Sequence, residues 1–322
     1  MIRGPGEAAS RALLWASTNP MLSEVLPRQK FMRRAVRKYV PGVTRSEAFA
    51  AAARLSEKGV GTLFTLFGEN VKTEAEVEAV VTEYGLLLDE SRELGLDLEA
   101  SIKPTHLGLD LSEDLVVESC AALAASCGGA AVDRGGATHL RTLWLDMEGS
   151  GYLEPTLRIY RRLREDGILA GVAMQSYLHR SPDDLRGMLD LEPRVRLVKG
   201  AYSEPPSVAL PKKADVDRQY LEMAHILLDH LEGGGGAFLA LGTHDPAMMT
   251  PLERAEALGI GPDRFEIEML YGISLREQRR LILRDAPLRV LISYGEAWFP
   301  WYMRRLAERP ANMLFVVRSM FQ

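Results

Sequence analysis

Cysteine is scarce in this sequence: Cys120 and Cys127 are the only two among 322 residues. A disulfide framework and a cysteine-rich zinc module are therefore excluded. No apolar run approaches the ~18 residues that a membrane-spanning helix needs. The N-terminus also lacks the apolar core and cleavage signal of a convincing secretory peptide. We therefore expect a soluble, cytoplasmic protein.

Positive charge is not in excess either. The chain carries 39 Lys and Arg residues against 44 Asp and Glu residues, which gives a formal net charge of −5. No nucleic-acid partner is expected, because phosphate binding normally shows as a basic excess or stripe. The six histidines form no HExxH or comparable pair, so no metal site is predicted. With 47% hydrophobic and 26% charged residues, the composition is that of an ordinary globular protein.

The first 60 residues have a helical and rather basic pattern. We expect them to form a helical segment that packs on the domain that follows. Residues 28–38 contain six Lys or Arg residues. Two interpretations of this stretch stay open: a solvated helix face, which the composition favours, and a surface that contacts anionic lipid on the inner face of the membrane.

From residue 61 onward, short apolar runs alternate with longer amphipathic stretches. Eight runs are predicted as strands, and their starts are spaced by about 32 residues, the length of one βαβ unit. The predicted strands are 62–67, 98–103, 141–146, 169–175, 195–199, 237–243, 264–270 and 288–293. The predicted helices between them include 74–94, 112–127, 154–165, 215–231 and 274–283.

Eight βα units in series close most economically as a (β/α)8 barrel. A doubly wound sheet is the rival fold, but neither GxGxxG nor a phosphate-binding P-loop motif follows any predicted strand. We therefore predict an α/β protein with an N-terminal helical segment over residues 1–60 and a (β/α)8, or TIM, barrel over residues 61–322.

In such a barrel, the functional groups lie at the carboxyl ends of the strands. Five predicted strands end in polar side chains, a pattern typical of a ligand site. Structural interpretations stay open beside this one: Lys103 and Asp146 can form an ion pair at the barrel mouth, and Asp245 can cap the next helix. The candidates are Lys103, Asp146, Glu148, Gln175, Lys199, Gly200, Ala201, Tyr202, Thr243, His244, Asp245 and Tyr271.

The segment after the eighth strand is rich in aromatic residues and carries three charged side chains of interest. Arg304 and Glu308 are four residues apart and share one helix face, while Arg305 lies about 100° round the helix. One interpretation is a solvated helix held by the Arg304–Glu308 pair. The other is a double guanidinium clamp for a carboxylate or phosphate, which the planar guanidinium suits. The surrounding aromatic residues favour the clamp.

Seven segments of the chain carry a family resemblance. They are SIKPTHLGL, LDMEGSGY, MQSYL, RVRLVKGAY, GTHD, FEIEMLYGI and YGEAWFPWYMRRLAERPAN, in this order. Together they resemble the single-activity proline dehydrogenases, and the resemblance runs from about residue 61 to the C-terminus. It implies a distorted (β/α)8 barrel that holds FAD non-covalently across the strand ends. It also implies oxidation of L-proline to Δ1-pyrroline-5-carboxylate by hydride transfer to flavin N5, with the electrons passing to a membrane quinone, as the first step of proline degradation to glutamate.

On the substrate side, the resemblance implies that Arg304 and Arg305 hold the proline carboxylate. It implies that Lys103 lines the proline ring, that Tyr202 lies over the site, and that Asp146 is the active-site aspartate. Cationic groups near the substrate amine favour its neutral form, which hydride loss requires. We expect Asp146 to steady Lys103 in that role.

On the cofactor side, Arg196 resembles the arginine near the reactive flavin nitrogen, where it would stabilise the negative charge that arrives with the hydride. The other flavin-binding positions that the resemblance implies are Met147, Gln175, the backbone of Lys199, Gly200 and Ala201, Thr243 and His244 near the ribityl and phosphate region, and Glu308 in the last helix.

Two positions depart from the family pattern. Leu291 stands where a tyrosine closes over the substrate, and Glu268 stands where a glutamine contacts the flavin. Substrate selectivity and that flavin contact are therefore expected to differ. Two other functions stay open on the residues alone: a barrel aldolase or isomerase that uses Lys199 as a Schiff-base nucleophile, and a non-catalytic module that binds a membrane or a partner.

Overall fold

The structure, a computed structural model, describes residues 36–127, 131–134, 137–299 and 303. Its strands in chain order are β1 (Gly61–Leu66), β2 (Leu98–Ile102), β3 (Ala131–Arg134), β4 (Ala137–Leu140), β5 (Leu143–Leu145), β6 (Ala170–Gln175), β7 (Arg194–Val198), β8 (Phe238–Gly242), β9 (Phe265–Leu270) and β10 (Leu288–Tyr294).

Eight parallel strands within the described ranges close into a barrel, in the order β1-β10-β9-β8-β7-β6-β5-β2. Strand β1 pairs with β10 on one side and with β2 on the other, so this sheet has no free edge. The predicted (β/α)8 barrel is confirmed, and every bound of the eight predicted strands lies within two residues of the observed one. The strands are apolar runs because helices cover their outer face and side chains fill the interior; all six residues of β6, for example, are buried.

Helices alternate with the strands of the barrel. They are α1 (Arg45–Ser56), α2 (Glu74–Glu93), α3 (Glu113–Cys127), α4 (Ser150–Glu165), α5 (Ser181–Arg186), α6 (Lys213–Glu232), α7 (Pro251–Ala257) and α8 (Leu275–Leu283). Capping boxes start α1 and α2, because a threonine at the N-cap and a glutamate three residues later satisfy each other's backbone N–H groups. The five predicted helices are confirmed, with ends that differ by at most four residues.

Helix α1 belongs to the segment that was predicted to be helical, and it packs on the barrel. The ring of Phe49 lies 5.4 Å from the ring of Phe64 in β1. Residues 28–35, most of the basic stretch, lie outside the described residues. In the part of the chain that the structure describes, no helix is long and apolar enough to cross a lipid bilayer.

A hairpin that was not predicted packs at the amino-terminal end of the barrel. Its strands β3 and β4 are antiparallel, and His139 of β4 is fully buried. Nε2 of His139 lies 2.6 Å from Oε1 of Glu99 and 3.3 Å from Nη2 of Arg289. Arg289 also pairs with Glu266 at 3.0 Å and donates to the Thr62 carbonyl oxygen at 2.7 Å. This buried network joins the hairpin to four barrel strands.

An apolar layer lies inside the barrel beside this network. Leu63, Trp144, Phe238 and Ala240 are all fully buried and form one cluster, against which the partly buried Leu291 packs. The indole Nε1 of Trp144 donates to Oε2 of Glu99 at 2.6 Å, which anchors the layer to the network below. The interior is therefore filled by side chains, and a ligand has to bind at the carboxyl ends of the strands.

The buried network generates a stability prediction. We expect Arg289→Met to lower the free energy of unfolding by about 3–5 kcal/mol, because the substitution leaves buried carboxylates without a counter-charge. Urea unfolding followed by circular dichroism measures this change. The matched control is Arg280→Met on the surface of α8, which removes an exposed pair with Glu277 and is expected to change the free energy by less than about 1 kcal/mol. Equal effects of the two substitutions would contradict a structural role for the network.

Candidate active site

The closed barrel brings the predicted strand-end residues onto one face of the molecule. Lys103, Asp146 and Thr243 come directly after β2, β5 and β8, Gln175 ends β6, and Lys199 follows β7. Since the carboxyl ends of parallel barrel strands point the same way, these side chains meet at one rim. The predicted location of the site is therefore consistent with the fold.

A buried arginine lies at the centre of this rim. Nη1 of Arg196 donates to Oδ1 of Asp146 at 2.8 Å and to the hydroxyl oxygen of Ser101 at 2.9 Å. Ser101 in turn donates to the same Asp146 oxygen at 2.7 Å. The sequence analysis did not identify Ser101, which lies in β2 two residues before Lys103. Successive side chains of a strand point to opposite faces, and Ser101 lies on the face toward the barrel interior.

The opposite side of Arg196 faces a second carboxylate. Nε of Arg196 lies 2.5 Å from Oε2 of Glu268, and both side chains are almost completely buried. Burial raises the pKa of Glu268 to about 7. Burial also works against the charge of Arg196, but Glu268 and Asp146 outweigh it and raise the pKa of the guanidinium. The ring of Trp144 lies below, 4.8 Å from the guanidinium carbon, so Arg196 stays charged in a place with little water.

Lys103 is not steadied by Asp146, and the corresponding expectation is wrong. Nζ of Lys103 donates to the carbonyl oxygen of Gly68 at 3.2 Å, whereas Asp146 accepts from Ser101 and Arg196. The ion pair between Lys103 and Asp146, the structural alternative, is therefore also absent from the part of the chain that is described. The reason is geometric: β7 places a guanidinium closer to Asp146 than Lys103 comes.

Glu148 fixes the loop that carries Lys103. It accepts from the backbone N–H of Thr105 at 3.0 Å and from the Thr105 hydroxyl at 2.8 Å. Burial raises the pKa of Glu148 above its ordinary value. Two hydrogen bonds to one buried carboxylate hold the β2 and β5 loops together, which fixes the position of Lys103 at the rim.

Gln175 and Met147 are joined by a hydrogen bond. The Gln175 side chain is buried, and its Nε2 donates to the carbonyl oxygens of Met147 at 3.2 Å and Glu148 at 3.3 Å. Its Oε1 is buried and has no hydrogen-bond partner among the described residues. A buried amide oxygen of this kind is an acceptor available to the N–H group of a ligand.

The segment after β7 is shaped for a close backbone approach. Gly200 has φ of 114°, and a Cβ atom there would come within 2.2 Å of the Tyr177 ring, so this position requires glycine. Ala201 is exposed and Tyr202 is partly buried. Nζ of Lys199 pairs with Asp217 at 2.6 Å and with Asp245 at 3.1 Å. These two carboxylates occupy Nζ of Lys199, which argues against its use as a nucleophile.

The segment after β8 is held by hydrogen bonds to the backbone of β9. The N–H of Thr243 donates to the carbonyl oxygen of Glu268 at 3.1 Å, and the N–H of Leu270 donates to Nε2 of His244 at 3.4 Å. Asp245 accepts from the N–H of Ala247 at 3.1 Å and so caps the short turn that follows. This contact agrees with the capping role that was one of the two interpretations of Asp245.

Three predicted site residues, Arg304, Arg305 and Glu308, lie outside the described residues.

Within the described part, Tyr271 donates its backbone N–H to the carbonyl oxygen of Leu291 at 2.9 Å, which joins β9 to β10 at the rim. The arrangement as a whole offers one buried guanidinium, a lysine and a buried amide. Such a set can bind a polar planar cofactor and stabilise negative charge on it.

Comparison with known proteins identifies the family. The family model described as proline dehydrogenase matches residues 48–318. Proline dehydrogenase 1 of Bacillus subtilis subsp. natto is 34% identical over 302 residues, which cover 90% of this chain and 92% of that protein. The proline dehydrogenase of Deinococcus radiodurans is 34% identical over 318 residues, 97% of each chain.

Solved structures support the fold. Proline utilization A from Bdellovibrio bacteriovorus superposes with a TM-score of 0.75 at 18% identity. The match covers 94% of this chain and 36% of that longer chain. The family model and the curated relatives together span most of the sequence, and the chain therefore belongs to the proline dehydrogenase family.

Proposed function

We propose that this chain oxidises L-proline to Δ1-pyrroline-5-carboxylate, with FAD as the cofactor and a quinone as the acceptor of the electrons. The observation that carries the proposal is the buried Arg196 at the strand ends, held by Asp146 and Ser101 in a chain that belongs to the family. A fixed positive charge in a water-poor site stabilises negative charge that arrives during a reaction.

The residues at the rim fit a flavin. The unpartnered Oε1 of Gln175 matches an N–H donor on the edge of the flavin ring system. Arg196 supplies a cation for the electron-accepting ring. When bound, the flavin supplies the two-electron acceptor that amino-acid side chains lack. We propose that it is held by Met147, Gln175, Arg196, Lys199, Gly200, Ala201, Thr243, His244 and Glu308.

On the substrate side, we propose that Arg304 and Arg305 bind the carboxylate of proline as a pair of planar forks. Lys103 and Tyr202 line the remaining volume. The ammonium of Lys103, fixed by Gly68, disfavours a second positive charge nearby and so favours the neutral amine of proline. Only the neutral amine has a lone pair that can stabilise the imine as the C–H bond breaks.

Asp146 acts on Arg196 in this proposal. Its oxygen accepts from both Arg196 and Ser101, so it fixes the direction of the guanidinium and offsets the cost of burying it. The Arg304–Arg305 clamp and the Arg196 guanidinium together position proline and the flavin. Such positioning is the protein's main contribution when a cofactor supplies the chemistry.

The two other functions lose support at the site. A Schiff-base aldolase or isomerase needs a lysine amine that is free to attack a carbonyl carbon, and Nζ of Lys199 is paired with Asp217 and Asp245. A non-catalytic module would not need a charged arginine buried at the strand ends.

The organisation of the chain follows from the same proposal. Residues 61–322 form the catalytic barrel, and residues 1–60 form a helical segment that packs on it. The basic residues of the stretch 28–38 contact the inner face of the membrane, where the quinone is dissolved. The protein is then cytoplasmic and peripheral to the membrane.

The absorbance spectrum tests the proposal. The purified protein is expected to be yellow from bound flavin, and anaerobic addition of L-proline is expected to bleach the flavin absorbance, since reduction removes the oxidised chromophore. D-proline serves as the control and is expected to leave the spectrum unchanged on the same timescale. A colourless protein, or a flavin that L-proline leaves oxidised, would refute the proposal.

The carboxylate clamp generates a kinetic prediction. Arg304→Met and Arg305→Met are each expected to raise the KM for proline by about tenfold to a hundredfold with the flavin retained, because one charge-assisted pair contributes about 1.5–3 kcal/mol. Arg280→Met, at an exposed site on α8, is the control and should leave KM unchanged. Values within about twofold of the parent KM for both clamp variants would remove the clamp from the mechanism.

A further inference from the structure

The carboxyl group of Glu268 is sealed inside the barrel. Its side chain is 4% exposed, and its Oε2 lies 2.5 Å from Nε of Arg196. Its Oε1 is buried and has no hydrogen-bond partner among the described residues. Because Glu268 meets Arg196 at the strand ends, a change in the charge of Glu268 acts directly on Arg196.

The charges around Glu268 do not balance. Arg196 is the cation that faces it, and Asp146 of the β5 end and Glu99 of β2 add like charges that raise its pKa. Tyr220 of α6 faces Glu268 as well. Burial and, after it, the negative charge of Glu268 raise the pKa of the Tyr220 phenol, so Tyr220 stays neutral. With Asp146 and Glu268 both ionised, the single guanidinium of Arg196 is bound to two carboxylates, so the group of three has a net negative charge.

The group of Arg196, Asp146 and Glu268 disfavours a further negative charge nearby. Electrons delivered to a cofactor beside Arg196 add negative charge, and in a medium of low dielectric constant the carboxylates oppose it. Uptake of one proton by either carboxylate restores a neutral group. Glu268 is almost completely buried, and its Oε1 accepts no hydrogen bond in the described part of the chain. Such a place disfavours an ionised carboxylate, so the proton is assigned to Glu268.

We propose that Glu268 is a positioning residue that holds Arg196 toward the flavin and takes up one proton when the flavin takes up two electrons. This inference rests on the proposed function. In the coupled step, the C–H bond of proline breaks, its electron pair and proton pass to the flavin, and the nitrogen lone pair forms the C=N bond of a cationic iminium product. As that product leaves, a second proton, from solvent, forms an O–H bond on the Glu268 carboxylate, so the negative charge that stays on the flavin is matched inside the protein.

The sign of the pH dependence follows. Burial raises the pKa of Glu268 to about 7, and negative charge on the flavin raises it further. Well below about pH 7, Glu268 holds its proton in both redox states and adds nothing. Above that pH, it is ionised beside the oxidised flavin and protonated beside the reduced flavin, until the pH passes the higher pKa. The extra proton is therefore taken up in a window that opens at about pH 7.

The test measures the flavin midpoint potential against pH, electrochemically and without proline, in the flavin-loaded parent, Glu268→Gln and Glu266→Gln. Glu266 is the matched control: it is two residues away on β9 and equally buried, but it pairs with Arg289. In the window, the potential of the parent is expected to fall about twice as steeply with pH as that of Glu268→Gln, because two protons rather than one accompany two electrons. Glu266→Gln is expected to follow the parent.

Infrared spectroscopy provides a measurement that needs no variant. The reduced-minus-oxidised difference spectrum of the parent in the window is expected to show a new band of a protonated carboxyl group, shifted in D2O. Equal slopes for the parent and Glu268→Gln, an equal loss in Glu266→Gln, or the absence of this band overturns the inference. A flavin that proline reduces, without the extra proton, contradicts the inference alone; a protein that binds no flavin contradicts the proposed function as well.

Discussion

The buried guanidinium of Arg196 is the interaction on which the arrangement of the rim depends. Removing a guanidinium from water without partners costs several kcal/mol. Here Ser101 of β2, Asp146 directly after β5 and Glu268 of β9 offset that cost. With Arg196 itself on β7, four of the eight barrel strands are tied to one cation. The position of the charge is therefore as rigid as the barrel, and this rigidity is what electrostatic stabilisation requires.

The barrel interior contains two charged groups with an apolar layer between them. At the amino-terminal end, Arg289 and Glu266 belong to a network that joins the hairpin to the strands. At the carboxyl end, Arg196 and Glu268 lie at the proposed cofactor site. The two glutamates share one strand and one burial state but meet different partners. The Arg289–Glu266 pair helps to close the barrel. The Arg196–Glu268 pair stays sensitive to charge on a bound cofactor, because Oε1 of Glu268 has no partner among the described residues.

Much of the fold was predictable because each barrel strand is a short apolar run, and the strand-end positions follow once a barrel is assumed. Pairing between side chains was not. Asp146 was expected beside Lys103, but it meets Arg196, 50 residues further along the chain, because the register of β5, β6 and β7 decides which inward side chains share a level. Ser101 and the hairpin that carries His139 could not be predicted for the same reason. A serine in an apolar run and a histidine in a connecting segment have no meaning until the barrel brings a guanidinium or a carboxylate to them.

If Arg196 stabilises the charge that electrons bring to the flavin, as proposed, the fixed geometry of its guanidinium is needed as well as its charge. Stopped-flow measurement of flavin reduction by saturating proline in Arg196→Lys separates the two, since lysine keeps the charge but cannot contact Ser101, Asp146 and Glu268 in one fixed geometry. We expect the reduction rate constant to fall by about a hundredfold with flavin still bound. Reduction of a flavin-loaded Arg196→Lys variant at the rate of the parent would show that the fixed guanidinium is not needed.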